Sequence, residues 1–405
     1  MISSDSSSPS GSSAPLYWMG LGAFAIGTEG FMIAGILPAV ARDLSTTLAT
    51  AGQLVTIFAL AYAVSSPVLT ALTSPLNRRT LLIASMAAFA AANVIAAASH
   101  TYWMLVGARV LLALAAGLYM PGAFALASAL VAPERRGRAL AIVNAGITVA
   151  IALGVPLGAV IGNAFGWQAT FACVAVLATI ATVGLAMGLT GEMGAGMPVA
   201  SLKERFAVIA QPAVLKALLM TTLWSSGTYA VYTYLAALLT ASTSLQPMHF
   251  GIAFFLWGAA AAGGVFVGGT GTDRFGSVRV IFVGLPILTV ALVGLSLIAR
   301  YVGLNQAIVP LLVSIVVWGV AAWAVHPAQQ ARLIQVAGTK VAPVALSLNA
   351  SFLYLGFAAG AALGAFTLSH GTAADLGWVG GLCEIGALAL MLRPNRSSVP
   401  IPLTL

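Results

Sequence analysis

The sequence predicts an all-α membrane protein of twelve transmembrane helices, arranged as two pseudo-symmetric six-helix bundles. Three observations carry that expectation. First, 60% of the 405 residues are hydrophobic and only 6% are charged, against roughly 25% charged in a soluble domain. So few charges cannot cover a water-facing surface, and the mean hydropathy of +1.02 points to a surface covered by lipid. Second, apolar runs of about 20 residues, the length that crosses hydrocarbon, fill the chain almost end to end. Third, the two halves resemble each other at an offset of about 200 residues, the mark of an internal repeat.

Residues 1–15, rich in Ser, Gly and Pro, read as a disordered cytoplasmic N-terminus without the features of a cleaved signal peptide. Six spans are expected near Leu16–Val40, Gly52–Ser74, Leu81–Ala98, Met104–Val131, Leu140–Asn163 and Ala169–Leu189, forming a bundle over 16–190. A cytoplasmic linker covers 191–212. The second six, near Val214–Thr240, Phe250–Thr272, Val278–Ala299, Ile308–Arg332, Pro343–Leu368 and Ala373–Leu392, form a bundle over 213–393, followed by a cytoplasmic tail, 394–405.

The basic residues sort by side. Arg78, Arg79, Arg135, Arg136, Arg138, Lys203, Arg205, Lys216, Arg274, Arg279, Arg332, Lys340, Arg393 and Arg396 fall on one set of connections, and only Arg42 and Arg300 on the other. Positive residues stay cytoplasmic, so both termini are expected inside. The net charge of +8 is then a topology signal, and nucleic acid is not an expected partner. Cys173 and Cys383 lie in apolar runs and read as small core residues, too few for a disulfide framework or a zinc site. No Walker-type loop, catalytic constellation or metal-spaced cluster appears, so neither an enzyme nor a cofactor is expected.

The repeat is visible in matched residues. Gly27-Thr28 corresponds to Gly227-Thr228, Thr70–Arg79 to Gly269–Arg279, Met120-Pro121 to His326-Pro327, and Asn144-Ala145 to Asn349-Ala350. The fifth span carries small residues at every fourth position: Gly146, Ala150, Gly154, Gly158 and Gly162. The eleventh repeats this with Gly356, Gly360 and Gly364. Such ladders let helix backbones approach closely in lipid. Paired six-helix halves with a site at their interface are a common plan for secondary transporters.

The symmetry breaks where chemistry is expected. Glu29 stands about 20 Å along the first span, near the bilayer midplane, where Tyr229 occupies the matching place in the second half. A carboxylate at that depth is costly without a partner, and proton-coupled exchange needs such a group. Arg109, in the fourth span, is placed at a similar depth and is the expected partner of Glu29. Its counterpart is Ile315. Glu384, in the last span, suits a structural or snorkelling role, and His326 a place beside a helix kink. Tyr229, Tyr232, Trp318 and Asn349 are candidates for a substrate cavity. Asn93, Asn144 and Asn349 also suit interhelical hydrogen bonds. Aromatic walls suit lipophilic cations through cation–π attraction.

The run Gly269-Thr270-Gly271-Thr272-Asp273-Arg274-Phe275-Gly276 lies on a short connection, where Asp273 and Arg274 suit a latch that holds one conformation. Its first-half copy ends Ser74-Pro75-Leu76-Asn77-Arg78-Arg79, with Ser74 in place of the Asp and Asn77 in place of the Gly. The intact run resembles the loop signature of the major facilitator superfamily, Gly-x-x-x-Asp-Arg-x-Gly. The rest of the chain resembles that superfamily's twelve-span drug:proton antiporter branch, close to bacterial drug and sugar efflux permeases. Gly27–Phe31 followed by Gly35–Pro38, Leu105 with Arg109, and Gly154-Val155-Pro156-Leu157-Gly158 carry this likeness, the last in the looser Gly-x-Pro form of an antiport motif. The resemblance implies a monomeric transporter of the bacterial inner membrane that exchanges protons for a small molecule. Export of drugs or lipophilic compounds is expected first, with a sugar or metabolite exporter or an uncoupled facilitator or sensor as alternatives.

Overall fold

The computed structural model describes residues 14–189, 200–246 and 249–393. The expected disordered N-terminus, apart from Ala14 and Pro15, most of the linker at 190–199, and the tail 394–405 lie outside the described residues. Within them the chain is helical throughout, and eleven helices are long and apolar enough to cross a membrane. These are Ala14–Asp43, Leu48–Leu72, Arg78–Ala97, Tyr102–Ala129, Arg136–Phe165, Trp167–Gly188, Phe250–Phe275, Ser277–Tyr301, Ile308–Ala337, Thr339–His370 and Ala373–Leu392. The remaining span, seventh in order, starts at Pro212–Tyr232. The short linker helix Leu202–Ile209 runs into it at 88°.

The seventh span is not the single helix expected. It breaks at Thr233 and Tyr234 and resumes as Leu235–Ser242. The eighth span also differs. Residues 269–275 are helical, and the helix stops only at Gly276, whose φ of +84° favours glycine. The glycine-rich signature is therefore mostly a helix end rather than a loop. Cys173 is exposed on the outside of its bundle and Cys383 half-buried, instead of both lying in the core. An apolar run in lipid does not reveal which face turns outward, because hydrocarbon accepts both.

Helix packing repeats between the halves. The third span packs on the fourth and sixth as the ninth packs on the tenth and twelfth. The second meets the fourth as the eighth meets the tenth, and the first meets the fifth and sixth as the seventh meets the eleventh and twelfth. The bundles join through the two symmetry-related pairs left over, the second on the eleventh and the eighth on the fifth.

The glycine ladders make the closest of these contacts. Gly146, Gly154, Gly158 and Gly162 of the fifth span sit on Gly20, Thr28, Met32 and Ile36 of the first. Gly356, Gly360 and Gly364 sit on Ser225, Ser226 and Tyr234 of the seventh. A Cβ at any of these positions would collide with its neighbour. Each bundle is thus pinned along one helix pair, and in the first bundle the pinned helix carries Glu29.

Between Ala150 and Gly154 the fifth span widens into a π-turn. Pro156 supplies the cause: it has no N–H for the carbonyl four residues earlier, and its ring crowds that turn. The wide turn lies against Gly27 and Thr28 on one side and Gly258 of the eighth span on the other, so it sits where the bundles meet.

Replacing Gly154 with Val should destabilise the protein by about 1–3 kcal/mol through overpacking on Thr28. Gly269→Ala, where a Cβ meets nothing within 4 Å, should leave the melting temperature unchanged or raised. Thermal unfolding of the purified protein in detergent checks both.

Candidate functional site

Glu29 and Arg109 meet directly. Arg109 Nη1 donates to Glu29 Oε1, and both side chains are 0% exposed. Arg109 Nε donates to the Leu54 carbonyl at 3.2 Å, and its guanidinium lies 4.2 Å from the centre of the Phe58 ring. First, second and fourth spans thus converge on one charge pair. The pair is incompletely satisfied: Arg109 Nη2, Glu29 Oε2 and the neighbouring Thr28 hydroxyl have no hydrogen-bond partner. An ion pair in an apolar interior is only held well when its remaining donors and acceptors are also bonded. A second ligand or a proton can therefore compete for it.

Phe58 stands between the pair and one of two adjoining small cavities, each with room for about one water molecule. That cavity is lined by residues that include Phe31, Phe58, Tyr229, Tyr354 and Phe357. The other has Trp224, Thr228, Tyr229, Trp257, Trp323 and Phe357 in its wall. Tyr229 and Phe357 belong to both and stack with ring centres 3.5 Å apart. Tyr62 and Tyr354 stack at 3.7 Å, joining the second span to the eleventh. Of the expected cavity residues Tyr229 lines both cavities, and Ser225, one helical turn before it, lines one of them.

Other expected cavity residues stand elsewhere. Tyr232 is 1% exposed and donates its hydroxyl to the Phe31 carbonyl at 3.2 Å, tying the seventh span to the first. Trp318 is 0% exposed and lies behind Trp257, ring centres 5.5 Å apart. Asn349 accepts from Thr221 at 2.7 Å, and Gln329 donates to Thr221 at 3.1 Å. Asn349 therefore belongs to a polar knot within the second bundle and lines neither cavity. Sequence spacing missed Phe31, Phe58, Trp257 and Phe357, whose apolar type does not set them apart from ordinary core.

The two faces of the bundle differ. On the face away from the arginine-rich connections, Tyr234 at the break of the seventh span fills the notch left by Gly52 and donates to the Ala361 carbonyl at 3.0 Å. Tyr102 donates to the Thr50 carbonyl at 3.0 Å. On the basic face, Asp273 and Arg274 are exposed, and the ion pairs found among the described residues are Arg109 with Glu29 and Arg300 with Asp375. The latch expected at Asp273 is not engaged in this conformation.

The first-half copy does different work. Asn77 accepts from Arg79 N at 2.9 Å and Thr80 N at 3.4 Å, capping the third span, so the residue that replaces the signature glycine has a structural use. Arg78 donates to the Ser74 carbonyl at 3.3 Å. Arg79 donates to the carbonyls of Leu189 at 2.6 Å and Ala186 at 3.1 Å, closing the end of the sixth span. In the fifth span, Gly154 and Gly158 hold the first span close beside Glu29, and Pro156 shapes the turn between them and the second bundle.

Glu384 does not snorkel. It is 0% exposed, packs against Gly227, and neither carboxyl oxygen has a partner. His326 is half-buried between Trp224 and Trp323, 5.8 and 5.5 Å between ring centres, and its Nε2 lies 3.1 Å from Gln330 Nε2.

Two six-helix bundles that repeat the same helix packing and meet at a central cavity define a multi-pass membrane transporter. Residues 19–397 match the family description Major Facilitator Superfamily, and the chain belongs to that family. It is 34% identical over 393 residues to a chloramphenicol resistance protein of Streptomyces lividans, covering 95% of this chain and 97% of the relative. It is 33% identical over 379 residues to the inner membrane transport protein YdhP of Escherichia coli strain K12, covering 93% and 94%. Among solved structures, the peptide transporter POT superposes with a TM-score of 0.76 at 15% identity, covering 93% of each chain. The human organic anion transporter MFSD10 gives 0.68 at 14%, covering 94% and 98%. Both show a shared fold. The protein is a transporter rather than an enzyme.

Arg109→Met should cost about 3–5 kcal/mol by leaving Glu29 buried without its cation. Adding Glu29→Gln to that variant should restore most of the loss. Thermal melting of the single and double variants checks this, and additive losses would show that the two side chains do not support each other.

Proposed function

We propose that this protein is a proton-coupled secondary transporter that exports small lipophilic molecules, drugs among them, across the bacterial inner membrane by alternating access. It works as a monomer with both termini in the cytoplasm. The observation that carries the proposal is the fully buried Glu29–Arg109 pair set behind Phe58 at the edge of the aromatic cavities.

Glu29 carries the proton and Arg109 is its partner. A proton arriving at the free oxygen Oε2 cancels the charge that holds Arg109. The guanidinium then keeps only the Leu54 carbonyl and the Phe58 face, and the first span loses its charged tie to the fourth. Phe31, two residues beyond Glu29, accepts from Tyr232 across the bundle interface, so movement of the first span reaches the seventh. Tyr229, one turn before Tyr232, carries that movement to the cavity wall. The chloramphenicol resistance relative supports export of a drug, and YdhP supports an inner-membrane location. Asp273 and Arg274, with Gly269 and Gly276 around them, form the latch of the opposite conformation, and Arg78 and Arg79 anchor the matching connection.

In inside-out vesicles with an imposed pH gradient, substrate-dependent proton movement read by dye quenching should fall to background in Glu29→Gln, with substrate binding retained. Proton movement at the wild-type rate in that variant would reject the assignment.

A further inference from the structure

The cavity walled by Trp224 and Trp257 has an imbalance of hydrogen-bonding groups. Trp224 and Trp257 are both in its wall, are 4% and 1% exposed, and their indole N–H groups have no acceptor. The Thr228 hydroxyl in the same wall is also unpartnered. An indole nitrogen only donates, and a buried donor left without an acceptor is costly. Of the other hydroxyls in that wall, Ser225 already donates to the Thr221 carbonyl at 2.7 Å, and Tyr229 adds one more. The hydroxyls can donate or accept, but the two indoles can only donate, so they ask for acceptors.

Its charge environment points the same way. No carboxylate lines either cavity. Glu29, beyond the Phe58 wall of one cavity, is already paired with Arg109. A bound cation would find aromatic faces but no carboxylate in either wall to offset its charge. When Glu29 takes up a proton, the guanidinium is left uncompensated and the field becomes more positive. Cation–π attraction, which the aromatic composition alone favours, is then opposed by that charge.

We infer that the cavity selects neutral aromatic compounds bearing strong hydrogen-bond acceptors, such as nitro, carbonyl or sulfonyl groups, and that the Trp224 and Trp257 N–H groups are the specificity-determining donors. This inference rests on the central cavity being the transport site. In the conformation that opens this cavity, a compound of that class would lie against the aromatic wall and give the two indoles the acceptors that the protein withholds. A lipophilic cation without acceptors would leave both donors orphaned.

Calorimetric binding to the purified protein tests this without depending on proton coupling. Three probes suffice: chloramphenicol, its p-amino analogue in which a donor replaces the nitro acceptor, and tetraphenylphosphonium. Chloramphenicol is expected to bind most tightly. Trp224→Phe and Trp257→Phe keep an aromatic face, smaller by one ring, and remove the N–H. Each should weaken chloramphenicol about fivefold to tenfold, the worth of one hydrogen bond, while leaving the cation within twofold of wild type; the p-amino analogue, which keeps its carbonyl but has lost the nitro acceptor, should respond to at most one of the two substitutions. A protein that binds none of the probes, or prefers tetraphenylphosphonium, overturns the inference, as does unchanged chloramphenicol affinity in both Phe variants. Failure of the coupling proposal reads differently: binding and its dependence on the two indoles persist, but transport in vesicles ignores the pH gradient.

Discussion

Hydrocarbon offers a peptide group nothing to bond to, and this constraint shapes the whole molecule. Every spanning segment must satisfy its own backbone, so the described chain is helical almost without interruption. Lipid also removes the usual driving force between helices, because a leucine gains little by leaving one apolar medium for another. What remains is close fit. The glycine ladders of the fifth and eleventh spans supply it, each laying a backbone directly on a partner helix. Their positions decide which helices are fixed and which are free to rearrange.

Polar groups inside such a structure are costly, and the chain concentrates them in few places. One is a knot of Thr221, Gln329 and Asn349, whose bonds tie the seventh, tenth and eleventh spans together. Another is the Glu29–Arg109 pair, where partners are fewer than the groups that need them. The contrast separates scaffold from site: the knot meets most of its own needs, whereas the pair and the cavity beside it leave several unmet. The stack of Tyr62 on Tyr354 spans the interface between the bundles, and that of Tyr229 on Phe357 joins two helices within the second bundle.

Much of this was legible in the sequence, for physical reasons. Hydrophobic length gives span number, because bilayer thickness fixes it. The four-residue spacing of Gly146 through Gly162 marks a contact face, because helical geometry places those residues in one row. Glu29 and Arg109 could be matched by depth alone, since each stands far from water on its own helix. What stayed hidden depends on helix rotation and local bonding. Asn349 looks like a cavity residue until its bond to Thr221 is seen. Trp318 looks like a wall until Trp257 is found in front of it. Asn77 looks like a lost glycine until it caps the third span. The fully buried Glu384 gives no hint in its spacing that it faces Gly227 rather than a headgroup.

The wide turn of the fifth span, Ala150–Gly154, has a mechanical consequence. An inserted residue in a helix resembles a dislocation in a crystal: it marks where the winding slips by one unit. Since each residue turns a helix by about 100°, shifting the slip along the axis re-aims only the side chains between its old and new positions, and the rest of the rod keeps its register. Small residues on both sides of the slip, at Ala150, Gly154 and Gly158, leave little to obstruct its passage. A span built this way has slack stored at its centre. It can change which residues face the neighbouring bundle without bending, and without giving up the backbone bonds that lipid will not replace.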